Sequence, residues 1–160
     1  MDTDSENLKI LFNDTKRPSS FGELNPITEK IIGCAYTIGN ALGCGFLEKV
    51  YENALAHELR KMGLVVMQQQ KISAFYDNVE VGKYEADLIV EGCILVELKA
   101  VRDLNEVHKA QCMNYLKATG LEFAFLSTSA IPKLRSGESW FDTNLSVLIC
   151  VHLWFQFLDV

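Results

Sequence analysis

Residues 85–99 constrain the fold more than any other stretch, because their alternation fixes how two strands must pair. The segment reads EADLIVEGCILVELK, which is typical of two strands joined by a short turn. A two-residue loop would set Asp87 opposite Val96, with charge against the aliphatic core. A three-residue loop at residues 91–93 avoids this conflict and is the register we predict. Its apolar pairs are Val90–Ile94, Leu88–Val96 and Ala86–Leu98.

The other face of this hairpin carries the charges. In the same register its pairs are Ile89–Leu95, Asp87–Glu97 and Glu85–Lys99. Two facing carboxylates repel each other, by about 4 kcal/mol at ~4 Å and an effective dielectric of about 20. Lys99 offsets part of this repulsion, and a divalent cation would offset the rest. The two carboxylates, the Leu98 carbonyl and water form an oxygen ligand set that suits Mg²⁺ or Mn²⁺.

This charged face predicts phosphodiester chemistry at Asp87, Glu97 and Lys99. A cation lowers the pKa of a water molecule and, with a lysine beside it, stabilises phosphoryl oxygens. The alternative is a solvated sheet face with a surface salt bridge, because alternating charge is common on exposed strands.

Composition sets the broad class of the protein. The 160 residues are 49% hydrophobic and 22% charged, as in one globular domain. Residues 1–6 are acidic and polar, which disfavours a secretory signal, and the apolar run at 145–158 is too short to span a bilayer. We therefore expect a cytoplasmic protein without a membrane partner. The net charge of −6 counts against nucleic-acid binding, which is driven largely by Lys and Arg.

The five cysteines form no C-x-x-C pair, so we expect reduced, mostly buried thiols rather than disulfides or a thiolate metal site. These residues are Cys34, Cys44, Cys93, Cys112 and Cys150.

The chain divides into three parts. Residues 1–24 read as a polar leader, 25–130 as the folded domain, and 131–160 as an apolar C-terminal extension. Periodicity and turn residues within the domain predict the order α-α-β-β-β-α-β. Asn25 and Pro26 mark the predicted start of the first helix, as N-cap and first helical residue. The last fifteen residues could be a strand, a helix or a partner-binding surface.

The two helices that flank the strands add polar residues to this pattern. Glu48 and Glu52 lie one turn apart at the start of the second helix, and such a like-charge pair is mildly unfavourable unless it is solvated or has a role. On the third helix, Gln111 and Tyr115 share one face, whereas His108 reads as a surface residue.

Taken together, these motifs resemble the PD-(D/E)XK nuclease superfamily over about residues 26–127. Glu48, Asp87, Glu97-Leu98-Lys99 and Gln111-x-x-x-Tyr115 occur in the order and spacing of that superfamily. The last motif is similar to its RecB-like and exonuclease-like branches. The stretches around Gly45-x-x-Glu48, Ala86-Asp87 and Ala110-Gln111 resemble the small bacterial GxxExxxR proteins more closely.

The resemblance implies an α/β restriction-endonuclease-like fold, with an αβββαβ core and a central mixed sheet flanked by helices. It also implies a metal-dependent nuclease acting on DNA, with RNA as the less favoured substrate. Asp87 and Glu97 would bind the metal and Lys99 would orient water. Glu48 would assist at the metal edge, and Gln111 and Tyr115 would position the site or the nucleic-acid backbone.

Two positions depart from the family pattern, and the second of them, with the net charge of −6 and the apolar ending, keeps a second reading open. Ala86 stands where a proline is expected, and Glu52 occupies the arginine position of the GxxExxxR name, so any phosphate contact by that arginine is lost. The rival is a non-catalytic nucleic-acid-binding or homo-oligomeric assembly module on the same fold. Its dimer contact could be the apolar C-terminal extension.

Overall fold

A mixed β-sheet forms the centre of the protein, with helices on both faces. The computed structural model describes residues 21–101, 103–128 and 146–150. Its elements are α1 (Phe21–Leu42), α2 (Glu48–Lys61), β1 (Val66–Tyr76), β2 (Val79–Val90), β3 (Ile94–Lys99), α3 (Glu106–Thr119), β4 (Phe123–Thr128) and β5 (Ser146–Cys150). The predicted α/β restriction-endonuclease-like architecture is confirmed.

The five strands lie in the order β1-β2-β3-β4-β5. All neighbours are antiparallel except β3 and β4, which are parallel over the full length of both strands. Helix α3 connects these two strands, as a parallel pair requires a crossover. The strand β5, within the segment whose structure the sequence left open, adds an edge next to β4; the rest of residues 131–160 lies outside the described residues.

Alternation along the inner strands divides the core in two. Val96, Leu98 and Phe125 face α1 and α2, whereas Leu95 and Leu126 face α3. Glu97 lies between Val96 and Leu98 in sequence and therefore projects toward α3. The predicted separation of charged and aliphatic residues of β3 onto opposite faces is thus observed.

Helix α1 begins before the predicted position. Its first residue is Phe21 instead of Pro26, so Pro26 lies inside the helix. A proline there lacks the N–H for a single backbone hydrogen bond. The long run of buried residues that follows, including Ile31, Ala35 and Ile38, joins the core that α1 shares with α2 and the sheet, and this burial outweighs that loss.

The four cysteines whose side chains are described are thiols rather than disulfides, as expected: Cys34, Cys93 and Cys112 are buried and Cys44 is exposed. No helix within residues 21–101, 103–128 and 146–150 has the length and apolar character that a bilayer span requires.

Candidate active site

Strands β2 and β3 separate at the point where the charged residues begin. The ladder contains the predicted pairs Leu88–Val96, Ile89–Leu95 and Val90–Ile94, which confirms the three-residue loop. It does not continue to the predicted pairs Asp87–Glu97, Ala86–Leu98 and Glu85–Lys99. Instead, the Asp87 carboxylate accepts the Leu98 N–H at 2.8 Å. A side chain thus takes the place of a backbone partner, and the gap between the strands becomes the candidate site.

Glu97 is buried in this gap, with its two oxygens in different situations. Oε1 accepts a hydrogen bond from Lys99 Nζ at 2.7 Å, whereas Oε2 has no hydrogen-bond partner among the described residues. Burial, reinforced by the charge of Asp87, raises the pKa of Glu97 to about 7. An unpartnered carboxylate oxygen is costly in a protein interior, so this position favours a proton or a cation.

The pKa values of Asp87 and Lys99, which lie beside Glu97, are raised as well. Burial raises the pKa of Asp87, and the hydrogen bond from the Leu98 amide offsets this only in part. Burial alone would lower the pKa of Lys99, but the carboxylates of Glu97, Glu48 and Asp87 outweigh it, and the net shift is upward. The lysine therefore keeps its charge, whereas the charged forms of the two carboxyl groups are disfavoured.

Glu48 lies at the edge of the site and already has a partner. Its Oε1 accepts the Ala100 N–H at 2.7 Å, which ties the start of α2 to the end of β3. Its charge is close enough to raise the pKa of both Asp87 and Lys99. The family resemblance implied that Glu48 lies at the metal edge. In the structure its charge is near Asp87 and Lys99, and its carboxylate is held by the Ala100 amide.

Gln111 and Tyr115 lie on the α3 side of the site. Gln111 Nε2 donates to the Tyr115 hydroxyl at 2.7 Å, and the charges of Glu97, Lys99 and Asp87 all contribute to the pKa of Tyr115, which burial raises. Tyr115 is buried, so it lines the site from the core rather than from the surface. The predicted nucleic-acid contact of these two residues stays a prediction.

Two other polar residues of α3 have structural roles. His108 forms a capping box with Asn105, as its Nδ1 accepts the Asn105 N–H and its N–H donates to Asn105 Oδ1. Cys112 lies beneath the carboxylates, and burial raises the pKa of its thiol to about 12. It therefore stays protonated and is neither a nucleophile nor a thiolate ligand at neutral pH.

Two residues near the site were not predicted to be part of it. Tyr84 on β2 is half exposed and packs on Tyr115, with ring centroids 5.6 Å apart. Glu52 is only 2% exposed although it is a carboxylate, and its charge contributes to the raised pKa of Asp87. The sequence signal for Glu52 was its position one helical turn after Glu48. That signal did not show whether the Glu52 side chain is solvated or has a role in the protein.

The oxygen donors present fit a single divalent cation that is held by few protein ligands and several waters. Among the described residues no three His, Cys, Asp or Glu side chains are arranged as a metal-binding group. Asp87 and Glu97 form a pair, and the buried Glu97 Oε2 is an available oxygen donor. Mg²⁺ keeps several waters and is commonly held by one or two carboxylates, so such a pair is sufficient for it.

Comparison with known proteins gives one match. The sequence pattern of the PD-(D/E)XK nuclease superfamily matches residues 25–130, which include all seven predicted site residues. A search of curated proteins and a search of solved structures each returned no match.

Proposed function

The chain belongs to the PD-(D/E)XK nuclease superfamily, and from that premise we propose that it hydrolyses phosphodiester bonds of DNA with Mg²⁺ or Mn²⁺. The observation that carries the proposal is the buried Glu97 Oε2, which has no hydrogen-bond partner in the part of the chain that is described. It lies beside a second carboxylate, Asp87, whose charge raises the pKa of Glu97. A cation between the two would relieve both strains.

The residues around this pair have complementary roles in the proposal. Asp87 and Glu97 hold the cation. The Leu98 carbonyl joins them, because a strand residue directs its C=O and N–H to the same side and the Leu98 N–H already faces Asp87. When bound, the cation would supply Lewis acidity that activates water and neutralises phosphoryl oxygens.

Lys99 orients the water and stabilises charge on the phosphate, since its ammonium is held at 2.7 Å from Glu97. Glu48 assists from the metal edge, either directly or through water. Gln111 and Tyr115 hold the α3 wall of the site and position the nucleic-acid backbone. Within the superfamily, we propose that the protein belongs with the GxxExxxR proteins, in the branch with the Gln111-x-x-x-Tyr115 motif. We also propose that it is cytoplasmic.

The decisive experiment combines metal binding with cleavage. Calorimetric titration with Mn²⁺ should show binding to the parent protein that is lost in Glu97→Gln. Cleavage of single- and double-stranded DNA in Mg²⁺ or Mn²⁺ should fall by about 100-fold or more in Glu97→Gln and in Lys99→Ala. An RNA substrate in the same assay determines which nucleic acid is preferred.

Glu106→Gln is the matched control for this experiment. Glu106 also pairs with a lysine at 2.7 Å, but its side chain is 80% exposed at the start of α3. Its variant should cut and bind metal as the parent does. Equal cleavage by the parent, Glu97→Gln and Lys99→Ala would show that the site assignment is wrong.

A second candidate is an assembly module on the same fold. Four apolar side chains at the far end of the β1–β2 hairpin are between 56% and 77% exposed. These residues are Phe75, Tyr76, Val79 and Val81. Exposed apolar groups of this kind favour a protein contact, including a homodimer. Light scattering that shows a stable dimer, together with Mn²⁺ binding and no cleavage of any nucleic acid, would support this candidate.

A further inference from the structure

Glu52 is a buried carboxylate next to the site that the proposed reaction does not use. It receives Lys49 Nζ at 2.8 and 3.0 Å, Gln68 Nε2 at 3.0 Å and Gln69 Nε2 at 2.8 Å. Only the lysine lies on the same helix. The two glutamines come from the edge strand β1, so Glu52 connects α2 to a specific point of the sheet.

The contact with both glutamines requires an irregular strand. Consecutive residues of a regular strand point to opposite faces, so Gln68 and Gln69 could not both reach one carboxylate. Gln69 resolves this by adopting a left-handed conformation with φ of 52°. Such a conformation is unfavourable for a residue other than glycine, and it persists only where surrounding contacts hold it. The hydrogen bond to Glu52 is that contact.

The irregular residue lies opposite Asp87. Its neighbours Gln68 and Gln70 pair with Leu88 and Ala86, which places Gln69 across from the residue between them. The alternation of β2 changes at this same point. Leu88 packs in the core beneath α1 and α2, whereas Ala86 packs in the core beneath α3.

Regular alternation would place Leu88 and Ala86 on one face. Asp87 is therefore the residue at which β2 turns over, and its carboxylate is left in the gap, on the Leu98 amide.

We propose that Glu52 is a positioning residue for Asp87. Through Gln69 it fixes the reversal in β1 and β2 that holds the Asp87 carboxylate between β2 and β3, where it can bind a cation. Its own charge adds to the negative potential at the site. The inference rests on the proposed function for its metal, but its geometric part can be measured without one.

The test compares Glu52→Gln with Glu58→Gln. Glu58 lies on the same helix and pairs with Lys61 at i,i+3, as Glu52 does with Lys49, but it has no contact with β1 among those described. Glu52→Gln replaces a carboxylate oxygen with an NH₂ group that faces donors, so the clamp on Gln69 is lost. The readouts are amide hydrogen exchange by NMR and calorimetric titration with Mn²⁺ alone.

In Glu52→Gln we expect the Leu98 amide to exchange about tenfold faster relative to the Leu95 amide of the same strand. The dissociation constant for Mn²⁺ should rise about tenfold at about pH 8, as for other residues that orient a metal ligand. Glu58→Gln should change neither value. A merely structural role of Glu52 would accelerate the Leu98 and Leu95 amides together and leave Mn²⁺ affinity unchanged.

Gln69→Gly is a second variant, and it leaves the buried Glu52 side chain unchanged. Glycine tolerates a positive φ, so the backbone conformation remains accessible while the tether to Glu52 is removed. The same rise in the Leu98-to-Leu95 exchange ratio is expected. An unchanged ratio in both folded variants would overturn the inference. Absence of Mn²⁺ binding to the parent would instead contradict the proposed function, while the exchange ratio still decides the role of Glu52.

Discussion

Glu97 couples the stability of the metal-free protein to pH. Its pKa is about 7 in the folded protein against an ordinary value of 4.5, so the folded state holds a proton that the unfolded state releases. This contribution to stability is complete below about pH 4.5 and is lost as the pH rises through about 7. The loss arises because the carboxylate must then be buried with its charge and with Oε2 unpartnered.

We therefore predict that the metal-free parent loses on the order of 2 kcal/mol of unfolding free energy between pH 5 and pH 8 relative to Glu97→Gln. Urea unfolding in EDTA at both pH values measures this difference. Glu106→Gln should behave as the parent, because its carboxylate is exposed. Saturating Mn²⁺ should remove the loss, since the cation replaces the proton. Equal pH dependence of the parent and Glu97→Gln would show that the Glu97 carboxyl is not strained.

The position of Glu97 could be predicted because alternation holds along β3 and the predicted register is observed from Leu88–Val96 to Val90–Ile94. The position of Asp87 could not be fully predicted, because alternation fails at that residue and Ala86 and Leu88 lie in different cores. The role of Glu52 could not be predicted in this way. Its burial depends on the left-handed backbone of Gln69, and a glutamine carries no sequence signal for that conformation. Likewise, the helical spacing of Tyr115 did not indicate its contact with Tyr84, which comes from a strand distant in sequence.

The turn between β2 and β3 determines whether the site forms, because it sets the register. Its residues Glu91 and Gly92 have φ of 51° and 62°, and the Glu91 carboxylate accepts the Val65 N–H at 2.6 Å. The Glu91 contact supports one left-handed residue, while Gly92 supplies the other without steric cost. A Cβ atom at Gly92 would make that second conformation unfavourable.

Gly92→Ala should lower the unfolding free energy by about 1 kcal/mol. Gly33→Ala provides a control of opposite sign. Gly33 is exposed inside α1, and a Cβ atom there would meet no other group within 4 Å, so alanine should raise stability by up to about 1 kcal/mol. Urea unfolding of both variants gives the two values. A Gly92→Ala protein with the same unfolding free energy as the parent would mean that the turn does not depend on a left-handed residue at that position.

Element types were predictable here, but element ends and strand irregularities were less so. Hydrophobic periodicity fixes helices and strands, and β3 has the predicted bounds Ile94–Lys99. The start of α1 was missed because proline at the first helical position is a common signal, and the sequence does not show that this helix tolerates proline further in. The ladder of β2 and β3 was predicted too long, since register rules do not reveal that a side chain will replace a backbone partner.

At the scale of the whole molecule, the sheet brings groups from four elements to one gap. Glu48 comes from α2, Asp87 from β2, Glu97 and Lys99 from β3, and Tyr115 from α3. Beyond Val96, β3 keeps its parallel ladder with β4 while its ladder with β2 ends, and the gap lies there. The site is thus a consequence of sheet topology, and it would be lost if β3 continued its ladder with β2.

The charge of the molecule leads to the last prediction. The net charge is −6, and five lysines of the described residues already pair with carboxylates. Each phosphate contact by a free cation adds about 0.9 to the salt dependence of duplex DNA binding. Of the nine lysines and arginines in the described part of the chain, the five paired lysines should contribute less to such contacts. We therefore expect a shallow dependence, with the divalent cation carrying much of the attraction.

We expect the logarithm of the DNA association constant to fall with the logarithm of monovalent salt concentration with a slope of about −3 or shallower. Fluorescence anisotropy with Lys99→Ala, which keeps both carboxylates but should not cut, measures this slope in the presence of Mg²⁺. Withdrawal of Mg²⁺ should weaken binding more than a doubling of monovalent salt does. Glu106→Gln in Ca²⁺ serves as the control with an intact site. A slope steeper than about −6 would instead show that lysines and arginines dominate the contact, and the cation at Asp87 and Glu97 would then have no major part in holding the substrate.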